Sequence, residues 1–242
     1  MPIEIGRIEA IFRYPVKSMR GEALDAAELG WHGLEGDRRL ALRRLDERGA
    51  FPWLTATKVP ELILFTPKRL EDASDGALPT HVLTPEGEAI PVFGEALAAE
   101  IGRHYRAPVE MMQLKHGIFD EASISVITSE TVREISRLAG TRADIRRFRP
   151  NIVVRSTRAV PFEEDEWVDG VLTFGDADDP PAVTVTMRDE RCAMVNFDPD
   201  SGSPAPEVLK AVVRAHQNTA GIYGTVTRIG RLAIGQTVTL VR

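Results

Sequence analysis

Cys192 is the single cysteine of this 242-residue chain. It sits in Arg191-Cys192-Ala193-Met194-Val195-Asn196-Phe197, just ahead of Asp198-Pro199-Asp200-Ser201-Gly202. A lone cysteine is most often a small buried hydrophobe. Here Arg191 precedes it directly and Arg188 lies shortly before, and nearby cations favour the thiolate. The Asp-Pro-Asp-Ser-Gly run reads as a tight turn with Asp198 and Asp200 as turn formers, so the thiol is expected at a strand end beside a loop. A thiolate there would be a soft metal ligand or a sulfur carrier.

Two further segments carry groups suited to an anion. Arg13-Tyr14-Pro15-Val16-Lys17-Ser18-Met19-Arg20-Gly21 offers an ammonium and a hydroxyl, with a glycine that allows close backbone approach. The plain alternative is a solvated strand-to-loop junction. Arg146-Arg147-Phe148-Arg149-Pro150-Asn151 sets three arginines ahead of the apolar run Ile152-Val153-Val154. A guanidinium fork suits phosphate and an asparagine suits a polar ring edge; the alternative is surface charge before a strand. His32, His81, His104, His116 and His216 fall into no recognisable dyad.

The elements that must position these groups read mostly as short strands. Ile3, Ile5, Ile8, Ala10 and Phe12 alternate imperfectly, as do Leu40 and Leu42; Leu62-Ile63-Leu64-Phe65 is a short apolar run. His81-Val82-Leu83-Thr84 and Ala89-Ile90-Pro91-Val92 flank a turn and read as a hairpin. Val183, Val185 and Met187 alternate up to the cysteine, and residues 223–229 and 236–241 are expected to pair around Gly230 and Gly235. Helices are predicted over 94–105, over 128–138 with Thr128 or Ser129 as N-cap and a stop at Gly140, and over 206–217. Segments 71–79 and 176–181 read as surface loops, and a boundary falls near 107–122. Many strands with three helices predict an α+β, mainly β fold built on a β-barrel.

Bulk properties exclude several classes. A net charge of −6 and a pI near 5.5 argue against general nucleic-acid binding. One cysteine permits neither an internal disulfide nor a self-contained four-cysteine iron–sulfur cluster. The N-terminal segment is broken by Glu4, Arg7, Glu9 and Arg13, so it reads as neither signal peptide nor anchor, and no apolar run reaches the roughly 20 residues that span a bilayer. The expected location is cytoplasmic, with no membrane.

Taken together, Tyr14-Pro15-Val16-Lys17-Ser18, Gly36-Asp37-Arg38-Arg39, Phe148-Arg149-Pro150-Asn151, Arg191-Cys192 with the following turn, and the closing Ile234-Gly235-Gln236-Thr237-Val238 resemble the MOSC family. This is the domain at the C-terminus of molybdenum-cofactor sulfurases; the amidoxime-reducing components and their stand-alone bacterial counterparts are its nearer relatives. The resemblance implies a MOSC N-terminal β-barrel domain over residues 2–110 and a MOSC domain over 115–241. It implies a molybdopterin-type molybdenum cofactor, with Cys192 as metal ligand and catalytic residue. Lys17, Ser18, Arg38, Ser123, Arg149 and Asn151 would hold its phosphate or pterin, with Arg191 lining the same pocket.

The family departs from this sequence at Thr55-Ala56-Thr57-Lys58 and Asp120-Glu121-Ala122-Ser123, which bears on substrate more than on cofactor. The resemblance also sets aside the anchor of mitochondrial relatives and the appended iron–sulfur domain of some bacterial ones. It implies an oxidoreductase that reduces small N-hydroxylated compounds. Electrons would come from a separate protein of ferredoxin, flavoprotein or cytochrome type. The alternatives are a non-enzymatic molybdenum-cofactor carrier and a sulfur carrier with a persulfide on Cys192. Pyridoxal phosphate is not expected, because Lys17, the one lysine in a motif, is better matched to phosphate.

Overall fold

A computed structural model describes residues 2–70, 76–117 and 121–242. The first half of the chain forms β1 (Ile3–Arg13), β2 (Glu22–Leu24), β3 (Ala26–Gly30), β4 (Gly33–Leu34), β5 (Leu40–Arg44), β6 (Thr66–Lys68), β7 (His81–Leu83), β8 (Ala89–Pro91), α1 (Glu95–Tyr105) and β9 (Val109–Gln113). The second half forms β10 (Ile124–Thr128), α2 (Ser129–Ala139), β11 (Ile152–Ser156), β12 (Val171–Phe174), β13 (Ala182–Glu190), α3 (Glu207–His216), β14 (Thr219–Arg228), β15 (Gly230–Ala233) and β16 (Thr237–Val241).

Seven strands close a barrel in the order β11-β10-β14-β13-β12-β16-β1, with β1 returning to β11. The first strand of the chain is therefore a stave of the barrel that the second half builds. Its register slips between Glu4 and Gly6 against β16 and between Ile8 and Ala10 against β11, and such bulges supply the bend that closure requires. β10 and β11 run parallel, since α2 lies in the connection between them and supplies the crossover. Ile8, Ile11, Val126, Ile152, Leu172, Val183 and Ile222 fill the barrel.

A second core gathers Val16, Leu40, Leu54, Phe65, Val82, Leu97 and Ile101 from residues 16–109. A third packs α2 and α3 against the barrel wall through Val132, Ile135, Val208 and Val212. All three expected helices form. Thr128 caps α2 by accepting from the Thr131 N–H at 3.2 Å, and Gly140 ends that helix in the left-handed region.

Three strand expectations change. The run 62–65 belongs to a 3-10 turn, Pro60–Leu64, because Pro60 fixes the first turn and the N–H groups of Leu62 and Phe65 bond three residues back. β14 and β16 do not pair: β14 lies between β10 and β13, and β16 lies between β12 and β1. The intervening β15 leaves the barrel at Gly230 to pair with β3. The alternation Val183-Val185 ends at Met187, where the β13–β14 ladder slips and the side chain meets solvent. The 81–84/89–92 hairpin forms as expected, as β7 and β8. Residues 176–181 form a bend between β12 and β13, whereas residues 71–75 of the other predicted loop lie outside the described residues.

Candidate cofactor site

A cavity of about 540 Å³ opens where the second core meets the barrel. One wall comes from the first half of the chain, with Lys17, Ser18, Arg38, Phe51, Thr55 and Thr57. The other comes from the barrel side, with Ser125, Arg147, Phe148, Arg149, the run from Asp189 to Cys192, Met194, Val195 and Tyr223. Six of the eight residues singled out by the sequence thus share one cavity: Lys17, Ser18, Arg38, Arg149, Arg191 and Cys192.

Cys192 lies between the end of β13 and a 3-10 turn, Ala193–Asn196, and is exposed rather than core-packed. Its position is set by Arg191. That side chain is 8% exposed and donates from Nε to Ala220 O at 2.7 Å and from Nη1 to Phe148 O at 2.7 Å, while Nη2 pairs with Asp189 at 2.7 Å. One guanidinium therefore ties the end of β13 to β14 and to the loop before β11. Gly221 makes room for it: with φ +83, any Cβ there would lie 3.1 Å from Arg191 Nη2 and 2.7 Å from Val126 O.

The cations expected to act on the thiol are both paired. Arg191 faces Asp189, and Arg188 turns away to Asp165 at 3.3 Å, outside the cavity.

At the other end of the cavity Lys17 and Ser18 are buried, and the Lys17 ammonium stands 5.6 Å from the Phe51 ring centre. Arg38 donates to Asp37 Oδ2 at 2.5 Å and to Arg149 O at 2.9 Å; Arg149 donates to Met19 O at 2.8 Å. Ser18, Arg38 and Arg149 all hold left-handed backbones, with φ of 67, 47 and 51. Non-glycine residues rarely adopt that region, and such strain concentrates at functional sites.

Asn151 and Ser123 do not line the cavity. The Asn151 side chain is consumed internally: Oδ1 accepts from Ser125 N at 3.1 Å and Arg38 Nη1 at 3.3 Å, and Nδ2 donates to Phe12 O at 3.3 Å. It contacts Arg38, which does line the cavity. Ser123 packs against Gly33, and Ser125, further along the chain, reaches the cavity instead and donates to Asp189 at 2.9 Å. Of the segment 120–123, Asp120 lies outside the described residues and Glu121 lines the cavity.

Arg146 and Arg147 serve the cysteine turn. Arg147 donates to Asp198 at 2.9 Å, and Arg146 donates to Asp200 at 2.6 and 2.8 Å. Asp198 in turn accepts from the N–H groups of Asp200 and Ser201 and so forms the turn, whereas the Asp200 carboxylate is taken up by Arg146 and Arg20.

Sequence reading missed Asp189, which pairs with Arg191 and accepts from Ser125, and Tyr14, which meets Asp37, Arg38 and Arg149. It also missed two histidine pairings outside the cavity. His116 meets His32 at 2.9 Å across the surface, and His216 meets Asp165 at 2.7 Å while stacking on Phe162. No local signal in the sequence joins residues 84 or 51 positions apart.

The residues fit a metal cofactor that carries its own ligands. Among the described residues, no group of three or more His, Cys, Asp or Glu is arranged to hold a bare metal ion. Cys192 is the one thiol in the lining, and the buried cations opposite suit an anionic tail. Fold and site together define a barrel protein with a basic cavity lined by a single, exposed cysteine.

A MOSC-domain profile matches residues 113–239, and a MOSC N-terminal beta barrel domain profile matches residues 5–96. The chain belongs to the MOSC family, which is associated with the molybdenum cofactor. It is 23% identical to mitochondrial amidoxime reducing component 2 of Bos taurus over 97% of this chain and 83% of that protein. The crystal structure of the YuaD protein from Bacillus subtilis superposes with a TM-score of 0.54 at 14% identity, covering 99% of this chain and 97% of that one, which shows a shared fold. No helix among the described residues is long and apolar enough to cross a membrane.

Proposed function

We propose that this protein is a molybdenum-cofactor-dependent oxidoreductase that reduces small N-hydroxylated compounds with electrons from a separate redox protein. One observation carries the reading: one cavity joins an exposed thiol to buried cations, and no other metal-ligand set is present among the described residues. When bound, the cofactor would supply a two-electron metal centre able to take oxygen from an N–OH group.

The chain's own residues bind, orient and shape. Cys192 would give the protein's one metal ligand as a thiolate. Lys17 and Arg149 would hold the anionic phosphate, with Arg38 and Ser18 fixing the same end. Arg191, hydrogen-bonded to two carbonyls and ion-paired with Asp189, holds the wall in which Cys192 sits. Phe51, Thr55, Met194 and Tyr223 offer apolar faces and hydroxyls to a small substrate. With a single cysteine, the chain needs an external electron donor, and a reducing compartment such as the cytoplasm would keep that thiol available.

The test is elemental mass spectrometry for molybdenum with pterin fluorescence on the same sample, from a cofactor-competent host, followed by an amidoxime reduction assay with a chemical reductant. Near-stoichiometric metal and pterin with turnover are expected, and Cys192→Ser should abolish turnover and alter the metal spectrum. Metal and pterin without turnover would make the protein a carrier. Absence of both would overturn the cofactor reading.

A further inference from the structure

We propose that Tyr14 is a positioning residue whose buried ring sets Arg38 and Arg149 at the phosphate end of the cavity, an inference that rests on the cofactor reading above. Tyr14 is 2% exposed and does not line the cavity. Both guanidiniums lie over its ring, Arg149 at 4.2 Å and Arg38 at 5.0 Å from the centroid. An aromatic face attracts guanidinium, most strongly where water is excluded. Here it also draws together two like charges that would otherwise repel.

The backbone around Tyr14 serves the same end. Its N–H donates to Asp37 Oδ1 at 2.7 Å, and Asp37 holds Arg38 through its other oxygen. Its carbonyl accepts from the Arg38 N–H at 2.8 Å. Arg149 reaches over the ring to Met19 O, in the segment that carries Lys17 and Ser18. That segment closes onto the ring at Gly21, where any Cβ would lie 2.3 Å from Tyr14 Cε1. Three chain segments that supply cavity residues therefore meet on one ring. The left-handed backbones of Arg38 and Arg149 cost free energy, and contacts with this ring help to hold them.

The phenol itself is not what is used. Its hydroxyl has no hydrogen-bond partner among the described residues, and burial pushes its pKa up to about 12, so it stays neutral. The face of the ring is what the arginines contact.

The experiment changes the face without changing the shape. The full chain is prepared with Tyr14→Phe, with tri- and pentafluorophenylalanine at the same position, and with Tyr14→Leu. Cofactor-free protein is titrated with inorganic phosphate by calorimetry, and pterin content is measured after expression in a cofactor-competent host. Wild type and Tyr14→Phe should bind phosphate alike. Affinity should fall stepwise with fluorination, by about fivefold at pentafluoro, while the melting temperature holds. Tyr14→Leu should lose pterin to a similar degree.

Equal phosphate affinity across the fluorinated series would overturn the inference while leaving the cofactor reading intact. So would loss in Tyr14→Phe as large as in the pentafluoro protein. A wild-type protein with neither phosphate binding nor pterin would overturn both.

Discussion

Cys192 meets solvent, whereas the arginine beside it is buried and triply engaged, and the two residues should therefore respond differently to substitution. Replacing the exposed thiol by serine removes almost no buried contact, so stability should change by less than about 0.5 kcal/mol while the metal spectrum changes and turnover is lost. Arg191→Lys keeps the charge but cannot span two carbonyls and Asp189 with a planar fork. It should cost about 2–4 kcal/mol in chemical denaturation, because it leaves buried acceptors unmatched. Gly221→Ala should be destabilising as well, since its Cβ would press on that guanidinium from a strained backbone. Arg149→Ala should lower pterin content, and unchanged content would remove it from the phosphate end.

At the scale of elements, the N-terminus of α2 is joined to the 3-10 turn Glu163–Trp167 by a buried polar cluster. Thr128 and Thr131 both donate to Glu164 Oε2, at 2.8 and 2.9 Å. Burial raises the pKa of Glu164, and it pushes the neighbouring Glu163 up to about 7 despite the pull of Arg158. A carboxyl whose pKa is raised on folding binds its proton more tightly when folded. Its contribution to stability is therefore best at low pH and declines as pH rises between about 4.5 and 7. Glu163→Gln should raise the melting temperature at pH 8, by about 2–6 °C, and leave it nearly unchanged at pH 5. An equal effect at both pH values in calorimetry would show that ionisation is not the cause.

Across the whole molecule, the turn after Cys192 is strapped to the first half of the chain. Asp200 accepts from Arg20 at 3.3 Å and from Arg146 at 2.6 and 2.8 Å, and Arg20 also donates to Pro199 O at 2.9 Å. These pairs are largely solvent-exposed, so each adds little to global stability. Their effect is to fix how the two cavity walls face each other. Hydrogen bonding from Arg146 holds the Asp200 carboxyl below its ordinary pKa, so the strap is present at neutral pH and is lost only as pH falls through the acid range. Asp200→Asn should leave the melting temperature within about 2 °C but speed pterin release several-fold at neutral pH, measured by fluorescence after gel filtration.

The amino-acid sequence by itself determined the helices, the hairpin and the residues that could bind an anion or a metal. These follow from local periodicity, capping and residue chemistry: Thr128 and Gly140 bound α2, and Lys17, Arg149 and Cys192 are legible as chemical groups wherever they lie. Only the tertiary structure decided which groups face the cavity. Asn151 carries the right chemistry but spends it on Ser125, Phe12 and Arg38, and Arg188 is drawn off to Asp165. The Ser125–Asp189 bond, the Tyr14–Arg149 contact and the strand order of β14 and β16 were equally hidden, because the fold brings together segments that lie far apart in the chain. No short window of sequence encodes a contact of that range.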